Sequence, residues 1–327
     1  DSIGNIIDQK TISSSNTFVS QGRFPDGIGN WCYFTPPTAG FTNDSSVCFN
    51  GISSEPVVSL NSGWYTNQQF VTITSSINMQ VYYTTNGDVP DTTDNLYSDT
   101  LFFDSTTVLS VRAFSSNNLP SKVVDRTYII NEDNYGLPVF SIITDSLNLW
   151  DIDSGIYVKG SNPGDFPYPN ANFRMPWSKW SRLEFFDKNK NKQCEEEFDL
   201  EIHGGYSRFF AQKSFRFDFK SRYTGDLNYP LISTKPYITE FNNINIRNGG
   251  NENKSTRIKD GFFSQIAAIT NVDVMGYDPC LLYLNGKYWG LYGIREKIDE
   301  HYIEDNYNID KDSVDLLNRN GALAGSD

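Results

Sequence analysis

The sequence predicts a multidomain chain in which two all-β, sandwich-like modules precede an α+β domain. Short alternating apolar and polar segments, separated by turn residues, fill most of the first 131 positions, and this pattern is typical of β-sandwiches. From Leu137 onward, strand-like segments alternate with a segment of helical periodicity. At 327 residues the chain is long enough for two or three domains.

Residues 1–52 are predicted to be the closing part of a small β domain. Their candidate strands are short, and the stretch at 21–31 is rich in Gly, Pro, Asn and Asp. Cys32 and Cys48 lie close together in this loop-rich segment and are predicted to form a disulfide. Cys194 and Cys280 are predicted to be separate thiols, because no Cys-x-x-Cys or nearby His accompanies them.

Residues 55–131 form the clearest β-sandwich module. Asn61-Ser62-Gly63 and Asn86-Gly87-Asp88 supply turn signals between its alternating segments. Asp88, Asp91 and Asp94 lack the ordered ligand pattern of a calcium loop, so we interpret them as solvated turn carboxylates. Because the module has no cluster of His, Cys or paired carboxylates, we predict that the β modules are spacers without catalytic residues.

Residues 137–327 are predicted to form the α+β domain. The best helix is expected at 261–270, where apolar residues recur with helical spacing. Asn285-Gly286 separates two alternating segments and predicts a two-residue hairpin. A further helix is expected to follow this hairpin, beginning near Arg295-Glu296-Lys297-Ile298-Asp299.

A paired glycine followed by a lysine-bearing strand is the most distinctive feature of this domain. Gly204 and Gly205 follow the candidate strand 198–202 and precede the candidate strand 213–219. In a regular strand Lys213 shares one face with the phenylalanines at 215, 217 and 219, whereas Arg216 faces the other way. Kinases hold ATP phosphates with a similar glycine-rich hairpin and strand lysine. The alternative is an ordinary hairpin whose lysine reaches water. His203 is expected to be a hydrogen-bonded structural histidine rather than a base.

The charge of the chain limits its partners. A formal net charge of −13 argues against binding to nucleic acid and to an anionic membrane surface, both of which require a basic face. No run of eighteen apolar residues is present, so no transmembrane segment is expected. The chain starts at Asp1 without Met, which we interpret as a processed or truncated piece of a longer, secreted or cell-surface protein.

Ten motifs follow one another between residues 137 and 327. They are Leu137-Pro138-Val139-Phe140-Ser141-Ile142, Asn148-Leu149-Trp150, Gly155-Ile156-Tyr157-Val158, Glu184-Phe185-Phe186-Asp187, Ile202-His203-Gly204-Gly205, Lys213-Ser214-Phe215-Arg216, Leu227-Asn228-Tyr229-Pro230-Leu231, Arg247-Asn248-Gly249-Gly250-Asn251, Leu284-Asn285-Gly286-Lys287-Tyr288-Trp289-Gly290-Leu291-Tyr292 and Arg295-Glu296-Lys297-Ile298-Asp299. Together they resemble, in the same order, the motifs of the CotH spore-coat kinase family of atypical secreted protein kinases.

The preceding modules carry two further resemblances. The loop at 21–40 resembles the end of a lamin-tail domain, and the segment at 81–90 with Tyr97 resembles a fibronectin-type-III-associated repeat.

The resemblance implies a kinase-like N-terminal lobe that phosphorylates protein Ser/Thr with ATP and Mg²⁺ or Mn²⁺. By analogy with protein kinases, Lys213 is predicted to contact the ATP phosphates and Glu296 to be its carboxylate partner. Arg216 is predicted to be the weakest competitor for the phosphates because it should face the other way. The predicted cofactor-binding residues are Gly204, Gly205, Arg208, Lys213, Arg247 and Glu296.

No catalytic residue or metal ligand is assigned within the chain. The resemblance places the family's catalytic and metal-binding acids beyond Asp327, so we expect a truncated lobe. Asp310 or Asp312 is interpreted as a helix cap rather than a metal ligand.

The second hypothesis is a non-catalytic surface protein in which the β modules and a degenerate kinase-like domain mediate adhesion or glycan contact. Under either hypothesis the expected partners are protein substrates or other surface proteins.

Overall fold

The computed structural model describes residues 6, 9–11, 18–318 and 321–325. Within these residues the protein is mostly β, in several separate sheets, as predicted for a multidomain β-rich chain. Its three α-helices are short, and none of the described helices has the length and apolarity needed to cross a bilayer.

The N-terminal part contributes one antiparallel hairpin, formed by β1 (Ser20–Phe24) and β2 (Asn30–Phe34). Cys32 lies on β2 and forms a disulfide with Cys48, with a Cα–Cα distance of 5.3 Å. Tyr33 adds a bridge to Phe49, so the segment that follows β2 folds back onto it. The described residues of 1–52 contain this hairpin and disulfide and do not form a complete sandwich, and their assignment to the end of a β domain stays a prediction.

The second part is a β module with a five-stranded sheet in the order β4-β11-β10-β7-β8 and two smaller strand pairs, β3-β6 and β5-β9. Its core lies between these sheets and contains Val71, Leu109, Val111 and Tyr128. The strands are β3 (Val57–Val58), β4 (Gly63–Tyr65), β5 (Gln69–Val71), β6 (Ile73–Thr74), β7 (Gln80–Thr84), β8 (Asn95–Leu96), β9 (Leu101–Phe103), β10 (Thr107–Phe114) and β11 (Val124–Ile130).

The third part is a closed seven-stranded barrel in the order β12-β13-β14-β15-β18-β20-β19. Alternation along the strands places aromatic and aliphatic side chains inside, as with Phe198, Phe215 and Phe217, and polar side chains outside. The strands of this part are β12 (Val139–Ile143), β13 (Ser178–Phe186), β14 (Lys192–His203), β15 (Ser214–Asp218), β16 (Leu227–Asn228), β17 (Glu240–Phe241), β18 (Asn243–Arg247), β19 (Tyr277–Leu284), β20 (Lys287–Arg295), β21 (Leu316–Asn318) and β22 (Gly321–Ala324).

The helices lie outside this barrel. They are α1 (Ser146–Trp150), α2 (Lys259–Ala267) and α3 (Glu300–Tyr307), with 3₁₀ turns at Asn172–Arg174, Tyr206–Phe209, Gly250–Glu252 and Lys311–Ser313. The described part of 137–327 is therefore a β-barrel with peripheral helices, and it does not show the α+β arrangement expected of a kinase N-terminal lobe. Asp310 caps the last of the 3₁₀ turns, accepting a hydrogen bond from the Asp312 N–H.

Two local predictions for the end of the barrel have different outcomes. The Asn285-Gly286 hairpin is confirmed, because Leu284 pairs with Lys287 and both turn residues have positive φ. The helix expected near Arg295-Glu296-Lys297-Ile298-Asp299 is present, but it starts only after the last of these residues. Arg295 ends β20 because it is paired with β18, and α3 starts only at Glu300, where Asp299 caps the Tyr302 N–H.

The β module packs directly on the outside of the barrel, so it is not an independent spacer. Ile129 of β11 shares an apolar cluster with Val139, Phe186 and Leu281 of the barrel. The same interface also contains a polar contact, a hydrogen bond of 2.8 Å between the hydroxyls of Thr127 in the module and Ser141 in the barrel. The prediction that this module is a spacer is therefore wrong in its structural sense, since its removal would expose apolar barrel surface.

Candidate functional site

Lys213 is buried within the loop that precedes its own strand. Its Nζ donates to the carbonyls of Arg208 at 2.7 Å and Phe210 at 2.9 Å, and it lies 4.2 Å from the centroid of the Phe173 ring. Burial, together with the nearby cations Arg174 and Lys159, lowers the pKa of Lys213 to about 8. Lys213 thus closes the loop at 204–213, and no carboxylate pairs with it among the described ion pairs.

Glu296 is paired with a different lysine. Its Oε2 lies 2.7 Å from Nζ of Lys235 and also accepts from the Gly276 N–H, whereas its Oε1 accepts from Nδ2 of Asn306 at 2.9 Å. Lys235 donates further to the Val274 carbonyl at 2.9 Å. The predicted Lys213–Glu296 pair is therefore wrong: both side chains are buried in separate, satisfied networks, and Glu296 is not on a helix.

The glycine-rich hairpin differs from the predicted one in detail. Gly204 has a positive φ of 105°, but Gly205 does not. Arg208 turns back over the loop, donating from Nε to the Gly204 carbonyl and from Nη1 to the Arg174 carbonyl. Of the predicted phosphate-binding residues, Gly204, Gly205, Arg208 and Lys213 thus lie together in one loop.

A second group of cationic side chains lies on the outer surface of the barrel. The strand register places Glu201, Arg216, Asn245, Arg295 and Tyr277 in one row across β14, β15, β18, β20 and β19. Because side chains alternate along each strand, His203 and Arg247 point to the same outer surface as this row. We call this surface the basic face and define it by five residues: His203, Arg216, Arg247, Arg295 and Lys297.

The arginines of the basic face have more N–H donors than there are hydrogen-bond acceptors around them. Arg295 is 2 % exposed, and within the described part of the chain only its Nη2 has a hydrogen bond, to Oγ of Ser264 at 3.1 Å. The Nε and Nη1 of Arg295 and the Nε of Arg216 have no partner among the described residues. Their carboxylate neighbours are at ion-pair distance without a close hydrogen bond: Arg216 is 3.5 Å from Glu201, and Arg295 is 3.6 Å from Asp260. Such unsatisfied guanidinium groups fit a ligand with several anionic oxygens.

The turn after β18 holds Arg247 in place. Asn248, which is fully buried, accepts from Oγ of Ser214 at 2.9 Å and from the Gly250 N–H at 2.9 Å. Ser214 is also the strand partner of His203. Arg247 itself remains about one-third exposed, with Nη1 3.7 Å from Asp260.

His203 is held neutral by its surroundings. Burial is the largest cause, followed by the positive charges of Arg216, Arg247, Arg208 and Lys297, and together they lower its pKa to about 4. Acidic side chains also lie on this surface. Burial and the neighbouring Asp218 raise the pKa of one of them, Glu201. In the described residues no three His, Cys, Asp or Glu side chains are grouped so as to hold a metal ion, so we assign no ligand for Mg²⁺ or Mn²⁺.

The structure therefore separates the predicted residues into three places. The Gly204–Lys213 loop is one, Arg247 belongs to the basic face, and Glu296 lies in the network with Lys235. Sequence analysis underrated Arg216 and missed Arg295 and Lys235. The alternation in Asn243-Ile244-Asn245-Ile246-Arg247, with polar residues on one face, was the signal that could have identified the basic face.

Comparisons with known families agree with part of this picture. Residues 200–326 match the family described as CotH kinase protein, which supports a relationship of this part of the chain to that family. Residues 60–125 match the family described as chitobiase/beta-hexosaminidase C-terminal domain. No protein of curated function matches the sequence. The CotH match begins within β14 and includes the whole basic face.

Proposed function

We propose that the chain is the nucleotide-binding part of a CotH-type kinase that phosphorylates Ser/Thr of proteins with ATP. The observation that carries this proposal is the cluster of arginines with unpaired donors on the basic face, within the segment that matches the CotH kinase family. A polyphosphate on this face supplies anionic oxygens to the partly exposed guanidinium groups of Arg216 and Arg247, whereas Arg295 is buried.

In this proposal Arg216 and Arg247 bind the phosphates directly, because both are partly exposed on the same surface. Arg295 lies beneath them and adds positive charge from a buried position, where electrostatic interactions are weakly screened. ATP supplies the phosphoryl group. The residues of this chain bind and orient it, and we derive no step that depends on the metal ion.

Lys213 and the Gly204-Gly205 turn stay in the proposal as parts of the loop beside the basic face. A phosphate contact from Lys213 requires that Nζ leave the carbonyls of Arg208 and Phe210. The pKa of about 8 supports such an exchange, because an anion would stabilise the charge of Lys213 better than its present surroundings do.

The test is transfer of label from γ-labelled ATP to a Ser/Thr-containing protein by the natural full-length protein. Arg247→Gln should reduce the transfer, whereas Lys287→Gln, a change of an exposed cation on the far hairpin, should not. Absence of both transfer and ATP binding by the wild-type protein would refute the proposal.

We also propose a secreted or cell-surface bacterial protein, with a lamin-tail-like segment at 1–52 and a fibronectin-type-III-associated-like module at 55–131. The disulfide between Cys32 and Cys48 supports an oxidising compartment.

Glycan contact by the β module is the second candidate function. The match of residues 60–125 to a domain of chitobiases and β-hexosaminidases favours it, as does the exposed pair Phe70 and Phe102, whose ring centroids are 5.3 Å apart. Binding to a panel of immobilised glycans that is lost in Phe70→Ser, but not in Arg247→Gln, would support this function. Equal glycan binding by the wild type and Phe70→Ser would remove it.

A further inference from the structure

His203 lies where a ligand on the basic face would meet it. It is the last residue of β14, on the outer surface, opposite Ser214 of β15. Ser214 in turn is tied to Asn248, the residue that follows Arg247. His203 is partly exposed, and no hydrogen bond to its imidazole is found in the described residues, so the hydrogen bond predicted for it from the sequence is absent there.

The charged groups around His203 come from every neighbouring element. Arg216 approaches from β15, Arg247 from β18, Arg208 from the loop at 204–213 and Lys297 from the segment after β20. The acids on the same side of the barrel are Glu201 on its own strand, Asp218 on β15 and Asp260 on α2, each within 4.0 Å of an arginine. Asp299 lies 2.8 Å from Nζ of Lys297 and pairs with that cation. Burial and the positive charges of these cations lower the pKa of His203, so its imidazole is uncharged in the free protein.

We propose that His203 is a further phosphate-binding residue, which takes up a proton from solvent when a polyphosphate binds to the basic face and then donates a hydrogen bond to it. The proposal rests on the proposed function for the location of the ligand, and it adds a coupling between binding and protonation.

The physical reason is the balance of charge around the imidazole. Burial is the largest cause of the low pKa of His203, about 4, and repulsion by Arg216 and Arg247 lowers it further. A bound polyphosphate neutralises these two arginines and so removes part of that repulsion. The ligand also accepts a hydrogen bond from the protonated form, which raises the pKa further. Because the bound state then binds the proton more tightly than the free state, affinity must increase as pH falls between the two pKa values, by up to about tenfold per pH unit.

The chain provides an internal control. It contains only two histidines, and His301 lies on α3, 3.7 Å from Glu304 and away from the arginines of the basic face. A ligand on the basic face should therefore change the titration of His203 and leave that of His301 nearly unchanged.

The experiment is an NMR titration of the two imidazole Cε1–H signals with pH, without and with saturating inorganic tripolyphosphate. His203→Gln assigns the signals. The expected result is an increase in the pKa of His203 of more than 1 unit with ligand and a change below about 0.3 for His301. An unchanged pKa of His203 at saturation, or an equal shift of both histidines, would overturn the proposal.

A calorimetric arm separates this inference from the proposed function. Binding of tripolyphosphate and of ATP is measured at pH 5, between the free and the expected bound pKa of His203, in two buffers of different ionisation enthalpy, for the wild type, His203→Gln and His301→Gln. Proton uptake should be lower in His203→Gln than in the other two proteins, and equal uptake in all three would contradict the inference. If tripolyphosphate shows the His203-dependent uptake but ATP does not bind, the inference stands and the kinase proposal fails. If ATP binds without the His203-dependent proton uptake, the kinase proposal stands and the inference about His203 fails.

Discussion

Arg182 and Asp125 form a buried ion pair that joins the barrel to the β module. Nε of Arg182 lies 2.6 Å from Oδ2 of Asp125, and the two side chains are 6 % and 12 % exposed. Arg182 also donates to the Gly87 carbonyl and to Oγ of Ser110, both in the module. One arginine of the barrel thus contacts three residues of the neighbouring module.

Arg182→Ala should destabilise the protein strongly. It leaves Asp125 buried without its partner, and removal of one member of a buried ion pair costs about 3–5 kcal/mol. Urea unfolding measures the change. Arg222→Ala is the matched control, because Arg222 is largely exposed and its partner Asp199 keeps a hydrogen bond from Tyr223; we expect a loss below about 1 kcal/mol there. Equal effects of the two substitutions would mean that the interface contributes little to stability.

Lys235 and Glu296 should be energetically coupled, and Lys213 and Glu296 should not. A double-mutant cycle with Lys235→Met and Glu296→Gln should give a coupling energy of about 1–3 kcal/mol, because each single change leaves a buried partner unpaired. The same cycle with Lys213→Met and Glu296→Gln should give less than about 0.5 kcal/mol. A large coupling in the second cycle would restore the pairing predicted from sequence.

Sequence analysis predicted the individual strands better than it predicted how they close into a barrel. The alternation in Lys213–Phe219 correctly assigned the aromatic residues to the interior and Arg216 to the outside, because side-chain direction in a strand depends only on local periodicity. It could not show that the outside is the surface where Arg216, Arg247 and Arg295 meet, since these residues come from strands that are distant in sequence. The analogy with the kinase lysine–glutamate pair failed for the same reason.

The helix at 259–267 shows a second limit. Its existence was predicted from apolar spacing, which normally marks a buried face. In the structure Phe262, Phe263 and Ile266 are about half exposed, while Gly261 and Ser264 face the barrel. The small residue at 261 is required by its position against the Tyr277 ring, and a period-based argument cannot detect such a contact.

Lys213→Met should lower stability rather than leave it unchanged. The substitution keeps the buried aliphatic length but removes hydrogen bonds to two carbonyls, those of Arg208 and Phe210. Two hydrogen bonds are lost in a half-buried loop, so we expect a loss of about 1–3 kcal/mol. Thermal or urea unfolding measures it, with the exposed Lys287→Met as control. An unchanged midpoint would show that the Lys213 contacts are not maintained in solution.

ATP binding by the basic face is the central claim, and calorimetric titration of ATP into the wild type and the Arg216→Gln/Arg247→Gln double variant tests it most directly. Each arginine–phosphate contact is charge-assisted, so the double change should weaken binding by at least about 100-fold, while the exposed-cation control Lys287→Gln stays within twofold. Circular dichroism verifies that the double variant is folded. Unchanged ATP affinity in the folded double variant would contradict the account.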